Sequence, residues 1–286
     1  MTNLARSSAP ADRLPNVHLA EILAVVRTRY GLDLTGYRRG TVERRVRTAM
    51  IAAGASSSAA YLDRLRADRR LAGDLLARLT VKVSRFYRDA AAVERVREAL
   101  AARLAAAPGP LAVWSAGCAR GEEPYSLAML LDDLGAPAGP HVVATDVAPD
   151  ALAAAEAATY PATALGELPP TYRDRYLTPA LGTAGAAFRV HPAIRARVRA
   201  LRHDLSAARA PPDPRRFDLV ACRNTLIYFQ PALQRRALEL LLDALAPGGL
   251  LWLGPAEWPA ALGGGRLEIL DRRARLFRAI RGSADA

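Results

Sequence analysis

Between Val17 and Leu79 the apolar positions recur at helical spacing: Leu19, Ile22, Leu23 and Val26 stand at i, i+3, i+4 and i+7, and Val42, Val46 and Ile51 form a second, partial stripe. No strand-like alternation interrupts them. Gly31, Gly36, Gly40, Gly54 and the run Ser56 to Ser58 supply the breaks, so this part reads as a small domain of short helices. A further helix is expected over Asp89 to Ala106. At Pro108-Gly109-Pro110 the rhythm changes to short apolar runs, Leu111 to Ala116, His141 to Thr145, Phe217 to Cys222 and Leu250 to Gly254. They alternate with helical stretches at Glu122 to Leu134, Pro149 to Ala158 and Pro231 to Leu245. Strands separated by helices pair in parallel, which predicts an α/β fold with a doubly wound sheet. Pro247-Gly248-Gly249 reads as the turn into the last of these strands. The final runs, Arg266 to Leu270 and Arg275 to Ile280, are too close for a crossover helix and predict an antiparallel hairpin at the sheet edge. The stretch from about Tyr160 to Arg202 breaks the pattern and is too long for a loop, so it is read as a small inserted subdomain. The expected division is 1–88, a helical domain with its linker, and 89–286, the α/β domain.

Composition narrows the class. The chain has 286 residues, 51% hydrophobic and 24% charged, with two cysteines. That is enough apolar material for a core and too little cysteine for a disulfide framework, which excludes a disordered chain or a stapled miniprotein. No run of about 18 uncharged apolar residues occurs, and residues 1–16 lack the apolar stretch of a signal peptide, so a soluble cytoplasmic protein without membrane insertion is expected. Forty basic against 28 acidic residues give +12, and Lys82 is the only lysine. Guanidinium groups donate two parallel hydrogen bonds to planar anions, so an acidic partner is expected; a genome-wide bias toward Ala and Arg would produce the same excess. Arg38, Arg39, Arg44, Arg45 and Arg47 crowd one turn and helix, either as a surface for that partner or as a solvated face.

Ligands of doubly wound sheets bind beyond the carboxyl ends of the strands. After the first strand comes Gly117-Cys118-Ala119-Arg120-Gly121-Glu122-Glu123. It lacks both G-x-G-x-x-G and the Gly-Lys-Ser/Thr of a P-loop, and two carboxylates at a helix start repel a pyrophosphate. They suit a cation, or simply the helix dipole. Asp146 ends the second strand about 25 residues past Gly121, where an acid can accept from both ribose hydroxyls of a nucleoside; the same residue is also a common helix cap. His203-Asp204-Leu205 comes directly after the stretch that ends at Arg202, with Asp204 placed to accept from an adenine amino group and Leu205 to pack on its ring. Arg223-Asn224 follows the very apolar Leu219 to Cys222, at the centre of the cleft. The cysteines lack metal-site spacing and the histidines do not cluster, so no metal is expected.

Val113-Trp114-Ser115-Ala116-Gly117-Cys118 through Gly121-Glu122-Glu123-Pro124-Tyr125-Ser126, then Cys222-Arg223-Asn224 through Ile227-Tyr228-Phe229, resemble the CheR-type chemotaxis receptor methyltransferases. The resemblance extends over Gly36-Tyr37-Arg38-Arg39, Ser84-Arg85-Phe86-Tyr87-Arg88-Asp89 and Arg202-His203-Asp204-Leu205, nearly the whole chain. It implies a class I S-adenosylmethionine methyltransferase sheet, an all-helical amino-terminal domain and an inserted β subdomain. It implies S-adenosylmethionine as cofactor, S-adenosylhomocysteine as product, and glutamate side chains on the acidic helical cytoplasmic region of chemoreceptors as substrate, with no nucleic acid involved. By the same match the segment Phe86, Tyr87 and Arg88 faces the cofactor, and Lys82 and Ser84 fall near its methionine portion, Lys82 departing from the family's usual Asn. Glu123, Asp146, Asp204, Leu205, Arg223 and Asn224 complete the implied pocket. Gly254-Pro255-Ala256-Glu257 departs from the common Gly-His-Ser-Glu. Arg88 and Tyr228 are the residues expected to act on the transfer itself. A noncatalytic S-adenosylmethionine sensor or receptor-binding adaptor would carry the same pocket.

Overall fold

The computed structural model describes residues 14–139, 141–180, 186–207, 211, 213–259 and 265–280. They form two compact units, Met1–Leu79 and Thr80–Ala286. The boundary falls before the stretch 80–88, which joins the second unit rather than serving as a linker of the first.

In the first unit the predicted stripes become α1 (Asn16–Tyr30), α2 (Arg39–Ala52), α3 (Ser58–Ala67) and α4 (Arg69–Leu79). Leu19, Ile22 and Val26 of α1 are buried, as are Val42 and Val46 of α2, Tyr61 and Leu65 of α3, and Leu75 and Leu79 of α4. Each such aliphatic side chain contributes about 1.5–3 kcal/mol through burial. Gly31 stops α1 in the left-handed conformation at φ 71°, and the Ser57 hydroxyl accepts the Ala60 amide at 3.1 Å to start α3. Ile51, counted in the second stripe, is exposed instead. On the basic helix Arg45 donates to the Leu79 carbonyl at 2.6 Å and Arg39 and Arg47 both pair with Glu43, at 3.8 and 3.3 Å; Arg38, Arg39 and Arg44 are exposed.

The second unit opens with α5 (Ala90–Ala106) and then alternates β1 (Val113–Ala116), α6 (Glu122–Asp133), β2 (Val142–Asp146) and α7 (Pro149–Ala157). Next come β3 (Thr159–Pro161), α8 (Pro170–Tyr176), β4 (Leu177–Pro179), β5 (Ala187–Val190), α9 (Pro192–Arg195) and β6 (Val198–Arg202). The chain closes through β7 (Phe217–Cys222), α10 (Pro231–Asp243), β8 (Leu245–Leu253), β9 (Leu267–Asp271) and β10 (Leu276–Ala279). The main sheet runs β6-β2-β1-β7-β8-β10-β9, parallel except for β10, which is antiparallel to both neighbours. This is the doubly wound sheet with an antiparallel C-terminal hairpin that the sequence predicts. A separate antiparallel sheet, β3-β5-β4, is the inserted subdomain.

Two sequence boundaries move. Val198–Arg202, expected within the insertion, is the edge strand of the main sheet, paired in parallel with β2 from Val142↔Val198 to Asp146↔Arg202. Pro247-Gly248-Gly249, expected as a turn, lies inside β8 as a bulge, because the β7 register jumps from Phe217↔Leu245 to Leu219↔Leu250. A Cβ on Gly249 would sit 2.8 Å from the carbonyl oxygens of Ala246 and Phe217, so the bulge requires glycine.

Candidate active site

The parallel strands bring the turns after β1, β2, β6, β7 and β8 to one edge. Gly117 and Cys118 amides donate to the Thr145 carbonyl at 2.8 and 2.9 Å, stitching the β1 turn to β2. Gly121, at φ 100°, starts α6; a Cβ there would lie 2.6 Å from the Tyr160 hydroxyl and 2.9 Å from Ala155 Cβ, so the turn is sealed against α7 and the insertion. The Tyr160 hydroxyl donates to the Arg120 carbonyl at 2.8 Å. The insertion therefore braces the turn.

Each predicted acid has a defined place. Asp146, at the tip of β2, accepts the Ala119 amide on Oδ2 and the Ala148 amide on Oδ1, both at 2.9 Å. Burial raises its pKa, against the amides of Ala148, Ala119 and Val147 and the charge of Lys82. Asp204 Oδ1 accepts from the Ser206 amide and hydroxyl at 2.8 and 2.6 Å, which holds the carboxylate in one orientation beside the buried Leu205. The His203 amide donates to the Asp146 carbonyl at 3.1 Å, which ties the two turns. Glu123 reaches down rather than out: it accepts from the Ser115 hydroxyl at 2.7 Å and its Oε2 lies 3.6 Å from Arg223 Nη1. Glu122 is buried, and desolvation raises its pKa.

Arg223 is the centre of this edge. Its guanidinium stacks 4.0 Å over the Trp252 ring and its Nη2 donates to the Arg88 carbonyl at 3.0 Å, with Asp89 Oδ2 at 3.6 Å. Burial pulls its pKa down, while Glu123 and Asp89 oppose that shift. Arg88 itself projects an exposed side chain between two residues in the left-handed region, Tyr87 at φ 51° and Asp89 at φ 70°. Glu167, from the insertion, accepts the amides of Asp89 and Ala90 at 3.1 and 3.2 Å, so a carboxylate caps α5 and fixes this bend. Ala119 (φ 51°) and Asn224 (φ 58°) are strained in the same way, which places much of the backbone strain in the turns of one edge.

Phe86 and Tyr87 differ from the expectation. Their rings are fully buried, edge-on to Tyr160 at 4.9 Å and to Tyr172 at 5.3 Å, and join the core to the insertion instead of facing a cleft. Lys82 lies not at the Arg223 end but at the start of α7, in an ion pair with Asp150. Ser84 is half-buried on the same extended segment. Tyr228 is half-buried in a 3-10 turn, Leu226–Tyr228, its amide donating to the Thr225 carbonyl at 3.2 Å. Cys118 and Cys222 are buried and desolvation pushes both thiols well up, so neither is a nucleophile.

Glu257 was legible only as the last residue of a motif from which Pro255 and Ala256 depart, yet it organises the turn after β7. It accepts the amides of Gly254 at 2.7 Å, Thr225 at 2.8 Å, Asn224 at 2.9 Å and Ile227 at 3.3 Å. Burial raises its pKa, partly offset by those amides.

The edge combines fixed carboxylates with a first turn that lacks a phosphate loop. Asp146 and Asp204 present fixed carboxylates on neighbouring turns; Asp146 keeps acceptor capacity beyond the amides it serves, whereas Asp204 Oδ1 already accepts both the amide and the hydroxyl of Ser206, which leaves Oδ2 as its acceptor for a ligand. The turn after β1 offers acids where a pyrophosphate site would need open amides. Among the described residues there is no group of three or more His, Cys, Asp or Glu side chains able to hold a metal, and no helix is long and apolar enough to cross a membrane.

The family model described as CheR methyltransferase, SAM binding domain, matches residues 82–260, and that described as CheR methyltransferase, all-alpha domain, matches residues 18–80. A chemotaxis protein methyltransferase of Klebsiella aerogenes is 34% identical over 254 residues, 86% of this chain and 86% of that protein. One of Listeria innocua is 31% identical over 234 residues, 82% of this chain and 87% of that protein. An uncharacterized 104.1 kDa protein of Rhodobacter capsulatus is 35% identical over 94% of this chain, which spans only 28% of that protein's length.

Proposed function

Because the chain belongs to the CheR methyltransferase family, we propose that it transfers methyl groups from S-adenosylmethionine to glutamate side chains of chemoreceptor cytoplasmic helices, giving methyl esters and S-adenosylhomocysteine. The observation that carries this reading is the joint placement of Glu123, Asp146 and Asp204 at the carboxyl ends of the sheet, Glu123 facing buried Arg223 and the two aspartates held by amides of their own turns, without a phosphate loop. Asp146 holds the ribose, Asp204 and Leu205 the adenine, and Glu123, Arg223 and Asn224 the amino-acid end, with Ser84 beside them. Bound there, S-adenosylmethionine supplies the electrophilic methyl. A glutamate, with an ordinary pKa of about 4.3, needs no general base at neutral pH; the protein's task is alignment and exclusion of water. Arg88, exposed on a backbone pinned by Arg223 and Glu167, orients the incoming carboxylate, and the Tyr228 hydroxyl lines the transfer path.

Titration with S-adenosylhomocysteine followed by base-labile incorporation of labelled methyl into receptor fragments tests the reading. Binding with incorporation supports it; binding without incorporation across competent fragments favours a sensor or adaptor. Arg88→Ala is expected to lower kcat/KM by roughly 100-fold, the scale of lost positioning, with Tm unchanged, since the Arg223 bond is to the backbone carbonyl. Tyr228→Phe tests the hydroxyl alone. Wild-type turnover from both variants removes the mechanism.

The exposed Arg38, Arg39 and Arg44 give the helical unit a surface for acidic receptor helices. Receptor affinity is expected to fall steeply between about 0.01 and 0.15 M salt, as the Debye length shrinks from about 30 to 8 Å. Affinity that does not change over that range removes the steering role.

A further inference from the structure

The turn between β9 and β10 carries Arg272, Arg273 and Arg275, and it emerges beside the site. β10 is antiparallel to β8, with Leu276 opposite Trp252 and the Leu253 amide donating to the Arg275 carbonyl at 3.1 Å. The hairpin turn therefore lies at the same sheet edge as the turns after β7 and β8. Contacts join it to them. Trp252 Nε1 donates to the Ala274 carbonyl of this turn at 3.1 Å, and the same indole bears the Arg223 guanidinium at 4.0 Å. Arg275 Nε and Nη2 donate to the Pro255 carbonyl at 3.1 and 3.0 Å, two residues before the Glu257 that holds the Asn224 and Thr225 amides.

Trp258, next in the chain after Glu257, is 37% exposed although it is a large apolar residue. Its ring lies edge-on to Phe277 at 5.3 Å, with the guanidiniums of Arg275 and Arg272 over it at 4.8 and 5.1 Å. The indole is thus a platform that holds cations at the surface. Arg275 commits its donors to carbonyls, but Arg272 and Arg273 are exposed, and among the described residues neither has an ion-pair partner. The acid of the turn, Asp271, is engaged elsewhere: it accepts the Arg273 and Ala274 amides at 2.8 and 2.9 Å and pairs with Arg95 at 3.0 Å.

We propose that Trp258, Arg272 and Arg273 form a second receptor-docking surface, on the unit that carries the site, which takes acidic side chains of the same helix whose glutamate is methylated. The proposal rests on the function proposed above. An acidic helix fits better than a nucleic acid, because the Trp258 ring lies under guanidiniums instead of standing open to a base. The spacing fits as well. β7 and β10 are two strand spacings apart, about 10 Å, and a helix advances about 5.4 Å per turn. Acids about two turns from the reacting glutamate therefore reach Arg272 and Arg273 while that glutamate sits at Arg88 and Tyr228.

Steady-state methylation of receptor cytoplasmic fragments by the full chain tests this. The double variant Arg272→Ala, Arg273→Ala is expected to raise the KM for the fragment roughly tenfold, the scale of two exposed ion pairs. Its kcat, Tm and S-adenosylhomocysteine affinity are expected to stay at wild-type values, since the turn is held by backbone groups that both substitutions keep. Arg272→Glu with Arg273→Glu is expected to raise KM further. A fragment whose acids two turns from the methylated glutamate are changed to lysine is expected to bring that charge-reversed variant back toward the wild-type KM. Wild-type KM in both variants overturns the proposal and leaves the proposed function standing. So does a raised KM that the lysine fragment does not reverse, or a raised KM with an equal loss of S-adenosylhomocysteine binding, which assigns the arginines to the cofactor. Altered sedimentation of the variants with wild-type KM assigns the patch to a second copy of the chain and overturns it too. If the wild type methylates no fragment, the function proposed above fails first, and the docking surface with it.

Discussion

Arg223→Met loses S-adenosylhomocysteine binding and about 3–5 kcal/mol of stability, the cost of stripping one member from a buried ion pair. The wild-type guanidinium does three things at once: it faces Glu123, stacks on Trp252 and holds the Arg88 carbonyl. Methionine replaces the apolar contact with Trp252 but leaves the Glu123 carboxylate, 14% exposed, with the Ser115 hydroxyl as its hydrogen-bond donor among the described residues. Calorimetry reads the binding and thermal unfolding the stability. The double variant Arg223→Met, Glu123→Gln separates the causes. Removing both charges is expected to restore stability to within about 1 kcal/mol of wild type, while methyl transfer stays lost because the Arg88 backbone is no longer held. Wild-type binding and Tm in the single variant would show that the guanidinium is a bystander. A double variant as unstable as the single one would assign the loss to Trp252 packing instead of the uncovered charge.

What the sequence showed and what it hid divide along contact distance. The strands of the parallel sheet were legible because each is buried on both faces and so reads as an apolar run: β1 and β7 are buried almost throughout. β6 was assigned to the insertion because an edge strand mixes polar and apolar positions, with Arg199 between Val198 and Ala200 and Arg202 after Leu201, and nothing local distinguishes it from the strands of the subdomain. The strands β3 and β4 are three residues long, too short for any period to show. Site residues after the strands were found because topology fixes where ligands bind. Their working partners were not: Glu167 caps α5 from 77 residues away, Asp150 meets Lys82 across 68, and Glu257 reaches Thr225 across 32. A carboxylate that serves backbone amides has no sequence signature beyond its own letter. Phe86 and Tyr87 misled for the same reason, since an aromatic pair beside a cleft and one inside a core look alike until Tyr160 and Tyr172 are seen against them.

Glu257 therefore supports the strongest expectation drawn from the structure alone. Glu257→Ala uncovers amides of Gly254, Asn224, Thr225 and Ile227 that the carboxylate now satisfies, at a residue only 4% exposed. Each buried amide left unpaired costs about 1–3 kcal/mol, partly recovered where the turn relaxes or water enters, so a net loss of about 3–5 kcal/mol is expected, at the upper end for single substitutions. The effect on activity goes further than the stability. Asn224 is held at φ 58°, and Gly254 lies so close that a Cβ would come within 2.8 Å of both the Asn224 amide and Glu257 Oε2. Without the carboxylate the strained turn has no reason to keep that conformation, and Arg223 and Tyr228, on either side of it, lose their placement together. Glu257→Gln preserves the volume but turns one acceptor into a donor facing donors, so it is expected to fall between alanine and wild type in Tm while losing most methyl transfer. Amide hydrogen exchange of residues 224–227 reads the turn directly: fast exchange in the variants with slow exchange in wild type supports the role, and unchanged protection in Glu257→Ala would show that the turn holds itself.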